Sequence, residues 1–172
     1  MASGDTLFVL TALSSIPTGT LYATMDVIVD ASTPTSSTPC LDYDGSAQDE
    51  HAEWMVVVPA NYAGGGFTVN IGYAMSGTDA DAVQFEVRML DVVDLDDIDA
   101  DLGMDTQTLT DITDTPTGTA NAIMVTTTGA VTHSNAGSPA AGTLMKIRIS
   151  RDFDHAANTD DAQFVYALVK ET

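Results

Sequence analysis

The sequence predicts an all-β chain folded as an antiparallel β-sandwich, and three observations carry that prediction. Apolar and polar side chains alternate with period two in stretch after stretch, the pattern of strands that bury one face. Of the acids, 21 are Asp and four are Glu; Asp hydrogen-bonds its own backbone and favours turns and caps, whereas an acidic helical protein would draw on Glu. Threonine occurs 24 times, and its branched Cβ suits the exposed face of a pleated sheet.

Taken in chain order, the segments 6–11, 21–29, 38–42 and 53–58 are bounded by Gly, Pro, Asp or Ser and read as strands. In the last of these, Trp54, Val56 and Val58 share one face while Met55 and Val57 share the other, which predicts a central strand, ended by Pro59. Gly64, Gly65 and Gly66 form a tight bend, since glycine tolerates positive φ, and a phosphate cradle would need a following helix and Lys. Phe67, Val69, Ile71, Tyr73 and Met75 then alternate with polar or small residues, and Val83, Phe85, Val87 and Met89 do the same. Residues 89–102 hold a possible helical stripe, but six Asp between positions 91 and 101 without a basic neighbour favour a strand end running into an acidic loop. Weaker strands follow at 106–113 and 121–128. Met145, Ile147 and Ile149 alternate with Lys146, Arg148 and Ser150; finally Phe164, Tyr166 and Leu168 alternate with Gln163, Val165 and Ala167. About eight to ten strands without long helices favour two packed sheets.

At 172 residues and 18.0 kDa the chain is sized for one domain, 1–172, with a short apolar N-terminal arm at about residues 1–12. Five basic against 25 acidic residues give a net charge of -20, which repels nucleic-acid phosphates and anionic membrane surfaces. No apolar run approaches the length of a membrane helix. Cys40 is the sole cysteine, so a buried free thiol is expected. The run 6–13 has no preceding Lys or Arg and no small-residue cleavage site, so a signal peptide is not expected.

No catalytic motif stands out: there is no nucleophile elbow, and with 21 Asp a chance carboxylate pair is unavoidable. An enzyme is therefore not expected. The acid-rich loop with Asp94, Asp96, Asp97 and Asp99, and the segment with Asp152, Asp154 and Asp160, offer the oxygen ligands that calcium prefers, although the first lacks the spacing of a twelve-residue calcium loop. A solvated, self-repelling loop is the favoured reading of the first, and a turn with Asx hydrogen bonds explains the second equally well. His51, His133 and His155 share no ligand spacing, which argues against zinc.

Several segments together resemble a group of small virion-associated proteins of tailed bacteriophages: GDTLFVLTAL at 4–13, Tyr22-Ala23-Thr24, LDYDGSAQDEHAE at 41–53 with the Trp54 strand, PANYAGGGF at 59–67, GTLMKIRISRD at 142–152 and DAQFVYALVKE at 161–171. The resemblance implies a single jelly roll on the outer surface of a virion, made in the host cytoplasm. Its implied role is capsid decoration or cement, as a homotrimer whose partner is the major capsid protein or another virion protein. The other role it implies is a tail-fibre or receptor-binding module that recognises a glycan or host surface. Interface candidates are Leu7, Phe8, Val9 and Leu10 of the arm, because termini stay ordered when docked, and Tyr22, Tyr43 and Tyr62 as exposed aromatics. Residues 31–39 and 121–138 depart from the resemblance.

Overall fold

A computed structural model describes residues 4–45, 48–94, 96, 103–154 and 157–172. The strands are β1 Thr6–Thr11, β2 Ile16–Pro17, β3 Thr24–Val29, β4 Ser37–Tyr43, β5 Glu50–Val57, β6 Phe67–Met75, β7 Val83–Val92, β8 Thr110–Asp114, β9 Met124–Thr127, β10 Leu144–Asp152 and β11 Ala162–Glu171. They form two antiparallel sheets. One runs β3-β4-β11-β6-β9 with β1 also on β11, and the other runs β2-β5-β10-β7-β8. This is the predicted all-β sandwich, and its strong period-two stretches are the long inner strands β6, β7, β10 and β11.

Between the sheets, Val69, Ile71, Tyr73, Phe164 and Val169 from one side meet Trp54, Phe85, Val87, Met89, Ile147 and Ile149 from the other. The aromatic contacts are edge-on or tilted: Tyr73 and Phe85 lie 5.0 Å apart, and Trp54 and Phe164 lie 5.2 Å apart. Polar handles inside the core are matched. Tyr43 Oη donates to Ile149 O at 3.1 Å and Tyr73 Oη to Asp114 Oδ2 at 2.8 Å. Cys40 is a buried free thiol, as expected, and burial together with Asp26 and Asp42 pushes it up to about 11.

Several expectations are corrected. Within the stretch read as an arm, Thr6–Thr11 is a sheet strand: β1 pairs with β11 from Thr6↔Lys170 to Thr11↔Tyr166, so Phe8 and Leu10 are core, Leu7 packs half-buried against it, and Val9 points out, 60 % exposed. Tyr43 and Tyr62 are not surface aromatics. Tyr43 spends its hydroxyl across the core, and Tyr62 stacks on Phe67 at 5.3 Å with its hydroxyl on Gly65 O and His133 Nδ1. In β5 the second apolar face is open, with Met55 and Val57 exposed, because its outer neighbour β2 is two residues long and no third layer among the described residues covers the sheet.

The phase of β11 also changes along its length. The register breaks between Phe164 and Tyr166, a bulge that turns Tyr166 and Leu168 outward and Ala167 and Val169 inward, against the simple alternation. At the same point the neighbour along one edge changes from β4, which pairs with 162–164, to β1, which pairs with 166–170. Tyr166 folds over Gly72, where a Cβ would fall 2.3 Å from the ring, so the glycine is needed for this approach.

Candidate functional site

The outer face of the five-stranded sheet gathers an unusual share of the chain's charge. Register places Glu53 of β5, Arg148 of β10 and Arg88 of β7 in one cross-strand row, with Lys146 one row away and His51, Ser150 and Glu86 in the next row on the other side. Three of the five basic residues therefore stand on one face of a chain of net charge -20. Glu53 is buried beneath them. Its Oε1 accepts from Arg148 Nε at 2.8 Å and Nη2 at 2.7 Å, and its Oε2 lies 2.8 Å from Lys146 Nζ. Arg148 Nη1 also reaches Asp105 Oδ1, which the short 3-10 turn Met104–Thr106 holds over the sheet by burying Met104. That guanidinium keeps the Asp105 carboxyl below the usual carboxylate range.

His51 divides two hollows. On one side a polar groove of about 380 Å³ is lined by residues 18–21, His51, Asp105 and Arg148. On the other, an apolar hollow of about 250 Å³ is lined by Ile16, Pro17, Tyr22, Ala23, Met25 and His51 among others. The connection between β2 and β3 builds both walls: His51 N donates to Leu21 O at 2.7 Å and Ala23 N to His51 O at 3.0 Å, which leaves Tyr22 between them and 49 % exposed. Among the described residues Tyr22 is the one exposed aromatic. The His51 ring, bonded to Ser150 Oγ at 2.8 Å, is held below its usual pKa by burial and by Arg148, so it is neutral at physiological pH and can both give and accept hydrogen bonds.

The remaining sequence candidates lie elsewhere. Asp152 and Asp154 come together with Asp49, their carboxylate oxygens within 4.8 Å of one another, while Asp160 sits apart and accepts from Asp79 N at 2.8 Å. Hydrogen bonds account for much of the first group, since Asp49 Oδ1 accepts from Phe153 N and Asp152 Oδ2 from Gln84 Nε2. Three carboxylates also fall short of the six to eight oxygens calcium takes. Asp94 and Asp96 are exposed, and Asp96 closes a turn on Val93 N; Asp97 and Asp99, like His155, lie outside the described residues. Sequence reasoning missed His51, Asp105, Arg88 and Arg148 as a group, although the gathering of four of the five basic residues, Arg88, Lys146, Arg148 and Arg151, into two strands of so acidic a chain was a usable signal.

At one end of the sandwich Asp42 has a buried Oδ1 without a hydrogen-bond partner among the described residues. Burial first, then Asp161, Asp26, Glu50 and Asp44, push its carboxyl from 3.8 up to about 6. The folded chain therefore holds this proton more tightly than the unfolded chain, so the contribution is fully present below about 4 and is lost as pH rises through about 6. Asp42→Asn is expected to raise the melting temperature at neutral pH and to flatten its decline across that window. A variant with an unchanged slope by calorimetry would refute this assignment.

No protein-family model matches the chain, and no curated protein is similar to it in sequence. Solved structures match across nearly the full length. They include a CBM6 domain of Clostridium stercorarium in complex with cellobiose (TM-score 0.51, 11 % identity, 99 % of this chain and 98 % of that one). Similar values hold for the C-terminal CBM6 of a marine laminarinase from Zobellia galactanivorans (0.50, 13 %, 95 % and 98 %). A CBM36 domain of a multidomain xylanase from the hindgut metagenome of Trinervitermes trinervoides is a third (0.50, 11 %, 96 % and 97 %). The chain thus has the jelly-roll sandwich fold of carbohydrate-binding modules. At these identities the likeness is one of fold, and nothing in it points to a virion protein in particular.

Proposed function

We propose that this protein is a non-catalytic glycan-recognition module whose saccharide site is the outer face of the five-stranded sheet around His51, with Tyr22 at its edge. The observation that carries the reading is the pairing of one exposed aromatic ring with a groove of planar polar side chains. A sugar ring presents an apolar C–H face and a rim of hydroxyls; Tyr22 and the apolar hollow suit the first, and His51, Arg148 and residues 18–21 suit the second. The fold shared with a cellobiose-bound domain supports it. It corresponds to the receptor-binding role rather than to capsid cement, whose expected contacts Phe8, Leu10, Tyr43 and Tyr62 are committed to the core. A place on a virion, as a fibre or spike, belongs to the same proposal.

The test is a saccharide array followed by calorimetry on the best binder. Tyr22→Ala is expected to weaken that binder about tenfold or more, while the melting temperature stays within a few degrees because an exposed side chain contributes little to stability. Wild-type affinity in this variant, or an array without a single binder, would overturn the reading.

A further inference from the structure

We propose that the saccharide taken by this face carries a carboxylate, and that Asp105 holds the place of that carboxylate on Arg148 in the free protein. The inference rests on the glycan-recognition reading and gives its ligand a chemical class. Its first support is the pairing of Arg148 directly opposite Arg88 in register. Like charges across a strand pair repel, so such a row needs anions around it.

The two anions on Arg148 differ in kind. Glu53 lies underneath, its side chain 8 % exposed, and is shared with Lys146, so it is a fixed part of the sheet. Asp105 sits on top, its side chain 77 % exposed, on a three-residue turn, and can be exchanged with little loss of buried contact. Exposed ion pairs of this kind contribute little to stability.

Arg88 adds a second, independent observation. Its Nε is buried with no hydrogen-bond partner among the described residues, and its ion pair with Glu86 is long, at 3.6 Å. A guanidinium whose ion pair is this long is poorly neutralised although its side chain keeps 19 % exposure, and a carboxylate is the group whose two oxygens match guanidinium donors. An incoming carboxylate that displaces Asp105 would lie between Arg148 and Arg88, with the ring hydroxyls toward His51 and residues 18–21. The overall charge of -20 opposes the approach of any acidic saccharide, and salt screens that long-range repulsion more than it screens the close contact.

The experiment is titration calorimetry at about 1 M NaCl, where the Debye length is about 3 Å, with trimers of galacturonate and mannuronate set against the neutral trimers of galactose and mannose. At least one acidic trimer is expected to bind roughly tenfold tighter than its neutral counterpart, as one added charge-assisted contact would give. Asp105→Asn should widen that gap by about fivefold by removing the competing charge, and Arg88→Gln should narrow it. Asp105→Asn replaces an exposed residue, so it remains informative if Arg88→Gln misfolds. Neutral trimers that bind as tightly as acidic ones, or a gap unmoved by Asp105→Asn, would overturn this inference and leave the glycan reading standing. Binding by none of the four trimers overturns it too, and if the saccharide array is also blank the wider reading falls with it. Displacement of the trimer by acetate at equal carboxylate concentration would show a simple anion site, and the saccharide claim would fail.

Discussion

Arg151→Met is expected to lower the melting temperature by about 10 °C or more, which corresponds to a loss of roughly 3–5 kcal/mol in a chain of this length. Arg151 is an inward-pointing residue at the end of β10, 1 % exposed, where the hydrophobic phase of that strand would call for an apolar side chain. Its guanidinium instead holds three backbone carbonyls. Nη1 donates to Tyr43 O at 3.1 Å and Asp160 O at 2.6 Å, and Nη2 donates to Asn158 O at 2.7 Å. Asn158 in turn donates to Asp79 O and Asp81 O, and Asp79 accepts from Thr159 N, so three separate connections converge on one cation. Burial lowers the pKa of Arg151, and Asp161, Asp44, Asp42 and Asp160 around it offset only part of that fall.

A methionine of similar bulk fills the space but leaves the three carbonyls without their guanidinium donor and the surrounding carboxylates without their cation. Arg151→Lys should recover less than half of the loss, because an ammonium on a flexible stem does not reproduce the planar fork. Thermal unfolding followed by circular dichroism decides the matter. A methionine variant that melts within about 3 °C of wild type would mean that other contacts hold the loop end and that Arg151 is not its clamp.

Trp54→Ala is the second large effect. It should cost about 3–5 kcal/mol, enough to leave the variant unfolded or aggregated at moderate temperature. The indole is 1 % exposed, packs on Phe164 across the sheet interface and donates from Nε1 to Thr11 O at 3.0 Å, the last residue of β1. Truncation therefore opens a cavity between the sheets and frees the β1 end at the same time. Trp54→Phe keeps an aromatic ring but loses the hydrogen bond and part of the indole's bulk, so it should melt between wild type and the alanine variant. The same substitution separates core from binding roles. A Trp54→Ala variant with a wild-type melting curve and lost saccharide affinity would move the binding platform from Tyr22 to Trp54.

Much of the fold was legible because period-two patterning is a local consequence of burying one face of a strand. The residues 67–75, 83–89 and 145–150 needed only that rule, and β1 lies where 6–11 was read. Boundaries drifted where the flanking chain is polar on both sides, as at β8, which begins at Thr110 rather than at 106. The phase of β11 was beyond local patterning, because the bulge between Phe164 and Tyr166 is set where its neighbour changes from β4 to β1, two segments more than a hundred residues upstream.

The sequence by itself determined the sandwich class, the acidic surface, the long inner strands and the buried thiol, since each follows from composition or from spacing along the chain. The tertiary structure alone decided which aromatics are surface and which are core, because Tyr22, Tyr43 and Tyr62 look alike in sequence and only cross-sheet partners distinguish them. It also decided the site. Glu53, Arg88, Asp105 and Arg148 are spread over 96 positions, and only the register of β5, β10 and β7 places the first, second and fourth in one row beneath the third.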